Sequence, residues 1–152
     1  MTSLQPLAAV LAQSERERDM ALADLHRAQL ASDAADAQAK QLLDYRSEYE
    51  QRWGAQFARE GKIELVRCYQ SFVERLTQAV EQQTRIAEHA SAQADRALVT
   101  LRECELRCAS VRKLIERRTH EQRLAADRRD QKQSDEFAAR VAWNRVHAAG
   151  PN

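Results

Sequence analysis

Hydrophobic positions return along the first third of the chain in alternating steps of three and four: Leu4, Leu7, Leu11, Ser14, Arg18, Ala21, Leu25, Ala28, Ser32, Ala35, Ala39, Leu42, Arg46, Tyr49 and Trp53. Eleven of these fifteen positions are apolar, and the phase never slips. Such spacing over seven heptads predicts a coiled-coil helix, with 4, 11 and 18 opening the a series and 7, 14 and 21 the d series. Pro6 falls where a first helical turn tolerates it, and no Gly or Pro follows it within the run. A second seam of the same length runs Val66, Tyr69, Val73, Leu76, Val80, Gln83, Ala87, Ala90, Ala94, Ala97, Leu101, Cys104, Cys108, Val111 and Ile115, with Gln83 its one polar member.

Gly54 and Gly61 lie between the two seams. Two seams of matching length joined at glycines predict an all-α fold, a long antiparallel two-helix coiled-coil hairpin. The expected elements are a helix over about 4–53, a tip over about 54–61 and a second helix over about 62–147, within one coiled-coil domain spanning 1–152. Folding about residues 57 and 58 sets Tyr49 opposite Val66, Leu42 opposite Val73, Ser32 opposite Gln83 and Ala21 opposite Ala94. An alanine methyl gains far less on burial than a leucine, so residues 21–35 are expected to be weakly held. Past Ile115 the seam fades into Arg117, Arg118, Thr119 and His120 while helix formers continue, which predicts an overhanging C-terminal helical segment ended by Gly150 and Pro151.

Composition narrows the possible functions. Charged residues make up 31% of the chain and aromatics 5%, with a net charge of +1, so no strong field draws the whole molecule to nucleic acid or anionic lipid. The charge is uneven: residues 1–60 carry 7 Lys+Arg against 10 Asp+Glu, and residues 61–152 carry 17 against 13. Opposite signs favour two arms lying side by side. No apolar run reaches the ~20 residues that cross a bilayer, and no basic segment leads into an apolar one at the start, so a cytoplasmic location is expected. Cys68, Cys104 and Cys108 are too few and too oddly spaced for a disulfide framework.

Candidate chemistry is sparse. Cys104 and Cys108 fall on seam positions, where a free thiol acts as a small apolar group, and no third ligand stands at finger spacing. His26, His89, His120 and His147 are scattered and expected on solvated faces. The segment from Gly54 to Ile63 resembles a phosphate-binding loop only superficially: six residues separate its glycines where four are needed, and Ile63 stands where Ser or Thr would hold magnesium. No catalytic, metal or cofactor site is expected.

One departure from a plain coiled coil concerns the flank beside the second seam. Its g positions are Leu65, Phe72, Ala79 and Ile86, all apolar where an isolated pair would carry charge, while the e positions Gln70, Thr77, Thr84 and Ser91 are polar. With Gln38 and Tyr45 on the matching flank of the first helix, an apolar patch of Leu42, Tyr45, Tyr49, Phe72, Leu76 and Ala79 is expected near the tip, with Tyr45 and Phe72 as neighbours.

Three segments, in order, carry a family resemblance. They are Leu42-Leu43-Asp44-Tyr45-Arg46-Ser47-Glu48-Tyr49, then Cys68-Tyr69-Gln70-Ser71-Phe72 with Leu76 and Gln82, then Arg129-Asp130-Gln131-Lys132-Gln133-Ser134-Asp135-Glu136-Phe137-Ala138. In these the chain resembles the FliJ family, coiled-coil components of the bacterial flagellar export apparatus. The resemblance implies a non-enzymatic adaptor peripheral to the cytoplasmic face of the inner membrane; from charge and motifs, no cofactor and no nucleic-acid partner is expected. Its implied partners are the ring of the export ATPase FliI, the export gate protein FlhA and export chaperones. The gate-facing surface carries over to Gln38, Leu42, Tyr45, Tyr49, Phe72, Leu76, Ala79 and Gln83. The ring-facing end would include Arg112, Lys113, Arg117 and Arg118. A stalk protein of a virulence secretion system or a generic coiled-coil scaffold satisfies the same heptads.

Overall fold

The computed structural model describes residues 4–149, and the expected stop at Gly150 and Pro151 lies outside them. Helix α1 spans Leu4–Glu60 and helix α2 spans Ile63–Ala148, packed against each other as an antiparallel hairpin. Every one of the thirty seam positions read from the sequence is buried or half-buried. The heptad pattern therefore identifies the packed face of both helices residue by residue.

The reversal is tighter than the expected tip. Helix α1 runs through Gly54 to Glu60, seven residues past its expected end, and only Gly61 and Lys62 lie between the helices. Gly61 adopts a φ of +64°, the left-handed conformation that closes a helix C-terminus, with open space around it. Helix α2 starts at once, the Val66 amide donating to the Lys62 carbonyl at 3.1 Å and Glu64 in the first turn complementing the helix dipole.

The chain divides into two compact units. In the unit Arg16–Glu105 the register lies one heptad from the expected one. Gln83 donates its amide to the Ala35 carbonyl at 3.4 Å and the Gln38 side chain at 3.2 Å, and does not pair with Ser32. Tyr49 meets Tyr69 and Phe72, in place of Val66. Ala21 and Leu25 cluster with Leu101 and Cys104, with Ala97 and Leu98 packed alongside, instead of facing Ala94 and Ala90. The cause is the extra length of α1, which moves the fold point to Gly61. A shift of seven residues restores the same a-to-d layering, so heptad spacing alone does not separate the two registers.

The other unit comprises the described parts of Met1–Glu15 and Leu106–Asn152. Cys108 is its most buried side chain at 1% exposure, Ser14 is buried, and Arg112 bridges to Glu15 at 3.1 Å. That pair is solvent-exposed and contributes little to stability. From His120 to Ala148 the helix is exposed at every residue but Ala126 and Val141, matching the expected overhang.

Two measurements check this architecture. Gly61→Ala strains the left-handed turn and is expected to cost about 1–2 kcal/mol in denaturant unfolding, with Gly61→Asn costing less; equal stability of the Ala variant would show that the turn is formed otherwise. The alanine-lined seam, Ala28 to Ala39 against Gln83 to Ala94, is expected to exchange its amides fastest within the paired helices. Ala21 and Leu25 are expected to be slower, being anchored by Leu101. Uniform exchange across these segments would contradict the assignment.

Candidate functional site: the aromatic end of the hairpin

The described aromatics of the turn end form one connected stack within the unit Arg16–Glu105. Trp53 and Phe57, one turn apart on α1, stack at 5.9 Å between ring centroids. Phe57 meets Tyr69 of α2 at 5.6 Å, and Tyr69 stacks on Tyr49 at 5.8 Å, nearly parallel. Tyr49 in turn packs against Phe72 at 4.6 Å and against Tyr45 at 6.4 Å. Such ring pairs add ~0.5–1.5 kcal/mol each beyond the area they bury.

Gly54 is part of this packing and not of the turn. A methyl group at Gly54 would lie 2.8 Å from the Tyr69 hydroxyl, so the missing side chain makes room for the phenol. A helical glycine costs ~1 kcal/mol against alanine, offset here by the ring it admits. Burial raises the Tyr69 phenol above its ordinary pKa, with Glu50 and Tyr49 adding to the effect.

The expected gate-facing residues separate into three groups. Leu76 is buried at 9% exposure and holds the seam. Leu42, Tyr49, Phe72, Ala79 and Gln83 are half-buried, each with one side packed and one side wet. Tyr45, at 50% exposure, and Gln38 are open, Gln38 accepting the Gln83 amide. The expected contact of Tyr45 with Phe72 is replaced by Tyr49 with Phe72, as the one-heptad register shift requires. Ile86 extends the apolar flank and is also exposed.

Trp53 and Tyr69, seam positions of the heptad pattern, and Phe57, which lies outside it, belong to the stack without being among the expected gate-facing residues. The sequence signal for the α1 pair is two aromatics one turn apart flanking a glycine, which a loop at Gly54 obscures. Arg46, at a seam position, donates from Nη1 to the Thr77 hydroxyl at 3.4 Å and lies 3.9 Å from Glu50 through Nε. That Nε is buried without a hydrogen-bond partner. Arg112, Lys113, Arg117 and Arg118 are exposed in the other unit. Cys104 and Cys108 are buried seam thiols, Cys68 is exposed, and the four histidines are exposed.

Among the described residues, no helix is long and apolar enough to cross a membrane and no cluster of metal-ligating side chains occurs. Fold and site together define a coiled-coil hairpin protein whose distinctive surface is an aromatic flank beside its turn. Comparison with known proteins is more specific. The family described as Flagellar FliJ protein matches residues 3–147. A flagellar FliJ protein of Salmonella typhi is 31% identical over 132 residues, covering 87% of this chain and 90% of its own length. One of Escherichia coli K12 is 32% identical over 111 residues, covering 73% and 76%. The chain belongs to the flagellar FliJ protein family, whose members are components of the flagellar protein export apparatus.

The Gly54 packing gives a direct check. In a Tyr69→Phe background Gly54→Ala is expected to stabilise α1 by up to ~1 kcal/mol, and in the parent chain to lose most of that gain against the Tyr69 hydroxyl. Equal effects in the two backgrounds by thermal unfolding would show that the hydroxyl is not what excludes a side chain at Gly54.

Proposed function

We propose that the chain is a non-enzymatic adaptor of the export apparatus, binding the gate protein FlhA through the aromatic flank and the ring of the ATPase FliI through Arg112, Lys113, Arg117 and Arg118. In this reading it also delivers export chaperones at the cytoplasmic face of the inner membrane. The observation that supports it best is the ring stack that runs out of the seam onto the g flank at Tyr45. Tyr45 stands half-exposed at the end of a line running through Tyr49 and Phe72. Exposed aromatics anchored on a rigid base lose little conformational freedom on binding, which suits them to a protein interface.

The four basic residues sit on a solvated face in the other unit, where long side chains can meet acidic surface on a partner. Contacts of this kind set encounter rate and salt sensitivity more than final affinity. The apolar flank, by contrast, should bind in a salt-resistant manner.

Replacing Tyr45 and Phe72 together with Ala is expected to abolish capture of FlhA while leaving stimulation of FliI hydrolysis intact. Because Phe72 packs on Tyr49, helix content is checked alongside, and Tyr45→Ala alone is expected to weaken gate binding without changing stability. Equal loss of both activities at full helicity would contradict separate binding surfaces.

A further inference from the structure

We propose that the unit Arg16–Glu105 is a two-register device. In it α2 slides one heptad along α1, and the reversal moves from Gly61 into the segment between Gly54 and Gly61. The seam permits this because a seven-residue slide returns every a and d residue to the packed face. The turn permits it because the two glycines stand one heptad apart. In the shifted register α1 ends near Trp53, and Gly54 takes the left-handed closing role that Gly61 has now.

The polar seam residues point to the same second register. The buried Arg46 Nε has no hydrogen-bond partner, and its Nη1 only just reaches the Thr77 hydroxyl at 3.4 Å. Seven residues earlier on α2 the corresponding positions are Gln70, a longer acceptor, and Tyr69, whose ring face receives a guanidinium. Gln83, now reaching a backbone carbonyl at 3.4 Å, comes opposite Ser32, polar against polar. The observed register is held by the aromatic stack, by Tyr69 seated on Gly54 and by the last turns of α1.

A slide in the opposite sense has no such provision. It would place the reversal within Ile63, Glu64, Leu65, Val66 and Arg67, with no glycine to close α1 there. The device is therefore one-directional, and it changes the exposed flank: Phe72 moves from Tyr49 to lie beside Tyr45. A ligand that binds this face more tightly in one register than in the other biases the equilibrium toward that register.

Disulfide trapping tests the proposal on the full chain with Cys68→Ala, Cys104→Ala and Cys108→Ala. Three pairs are compared in a glutathione redox buffer. Ala35→Cys with Ala87→Cys reports the observed register, Ala35→Cys with Val80→Cys the shifted one, and Ala35→Cys with Ala94→Cys the opposite slide. The first pair is expected to close fastest, the second more slowly, and the third no faster than an unstructured background. Introducing Gly54→Ala into a Tyr69→Phe chain is expected to lower closure of the Val80 pair roughly 5- to 30-fold, because only the shifted register needs a left-handed residue there. The Ala87 pair should be unaffected. Equal closure of the Val80 and Ala94 pairs, or no response of the Val80 pair to Gly54→Ala, overturns the proposal. If the chain lacking its native thiols loses helicity, peptide mapping of disulfides in a chain that keeps them reads the same ratios.

Discussion

A two-helix seam that repeats every seven residues does not by itself say which layer meets which, and in this hairpin the reversal at Gly61 decides it. With φ at +64° that residue closes α1, and Lys62 already accepts the first hydrogen bond of α2. So short a connection leaves no slack, so the layers near it are set by where α1 stops. The joining of Gln83 to Ala35, of Tyr49 to Phe72, and of Leu25 with Leu101 in one cluster all follow from that stop. Were α1 to end at Trp53 instead, the same seam residues would meet different partners.

This explains what could be read from the sequence and what could not. Seam membership is a property of one helix at a time, and the 3,4 spacing reports it directly, down to Ser14, Ser32 and Cys108. Register is a property of the pair, and its evidence is confined to the turn. Gly54 reads as a helix end because a glycine is unfavourable in a helix and commonly marks one. Its actual reason is Tyr69, fifteen residues away in sequence and seated against it in space. Local propensity contains no information about that phenol. The shortness of loops joining helices in bundles was the available signal, since a two-residue turn at Gly61 is more usual than an eight-residue tip.

The apolar flank was legible for a related reason. Where an isolated coiled coil would place charge, Leu65, Phe72, Ala79 and Ile86 stand in succession, and the first three are half-buried with Ile86 exposed. Which residues share that flank across the helices depended on register, so Tyr49 and not Tyr45 meets Phe72. The basic residues of the other unit were equally visible, and there the structure adds the bridge from Arg112 to Glu15.

A two-helix coiled coil has no interior beyond its seam, which constrains how it binds. A globular protein can hold its fold with one set of residues and recognise a partner with another. Here each flanking side chain is packed on one side and wet on the other, so the two tasks fall on neighbouring atoms. Leu76, buried in the seam, belongs to stability: truncating it to Ala removes ~2–5 kcal/mol of packing whatever the partner. Tyr45 rests on Tyr49 and leaves half its surface free, so its truncation costs little packing within the hairpin while removing its exposed ring. Tyr49 and Phe72 lie between these extremes, and loss of binding at either is interpretable only against the helix content of the same variant. The aromatic stack thus links turn, register and exposed flank through the same few rings, and a partner that engages Tyr45 touches the packing that the turn at Gly61 sets.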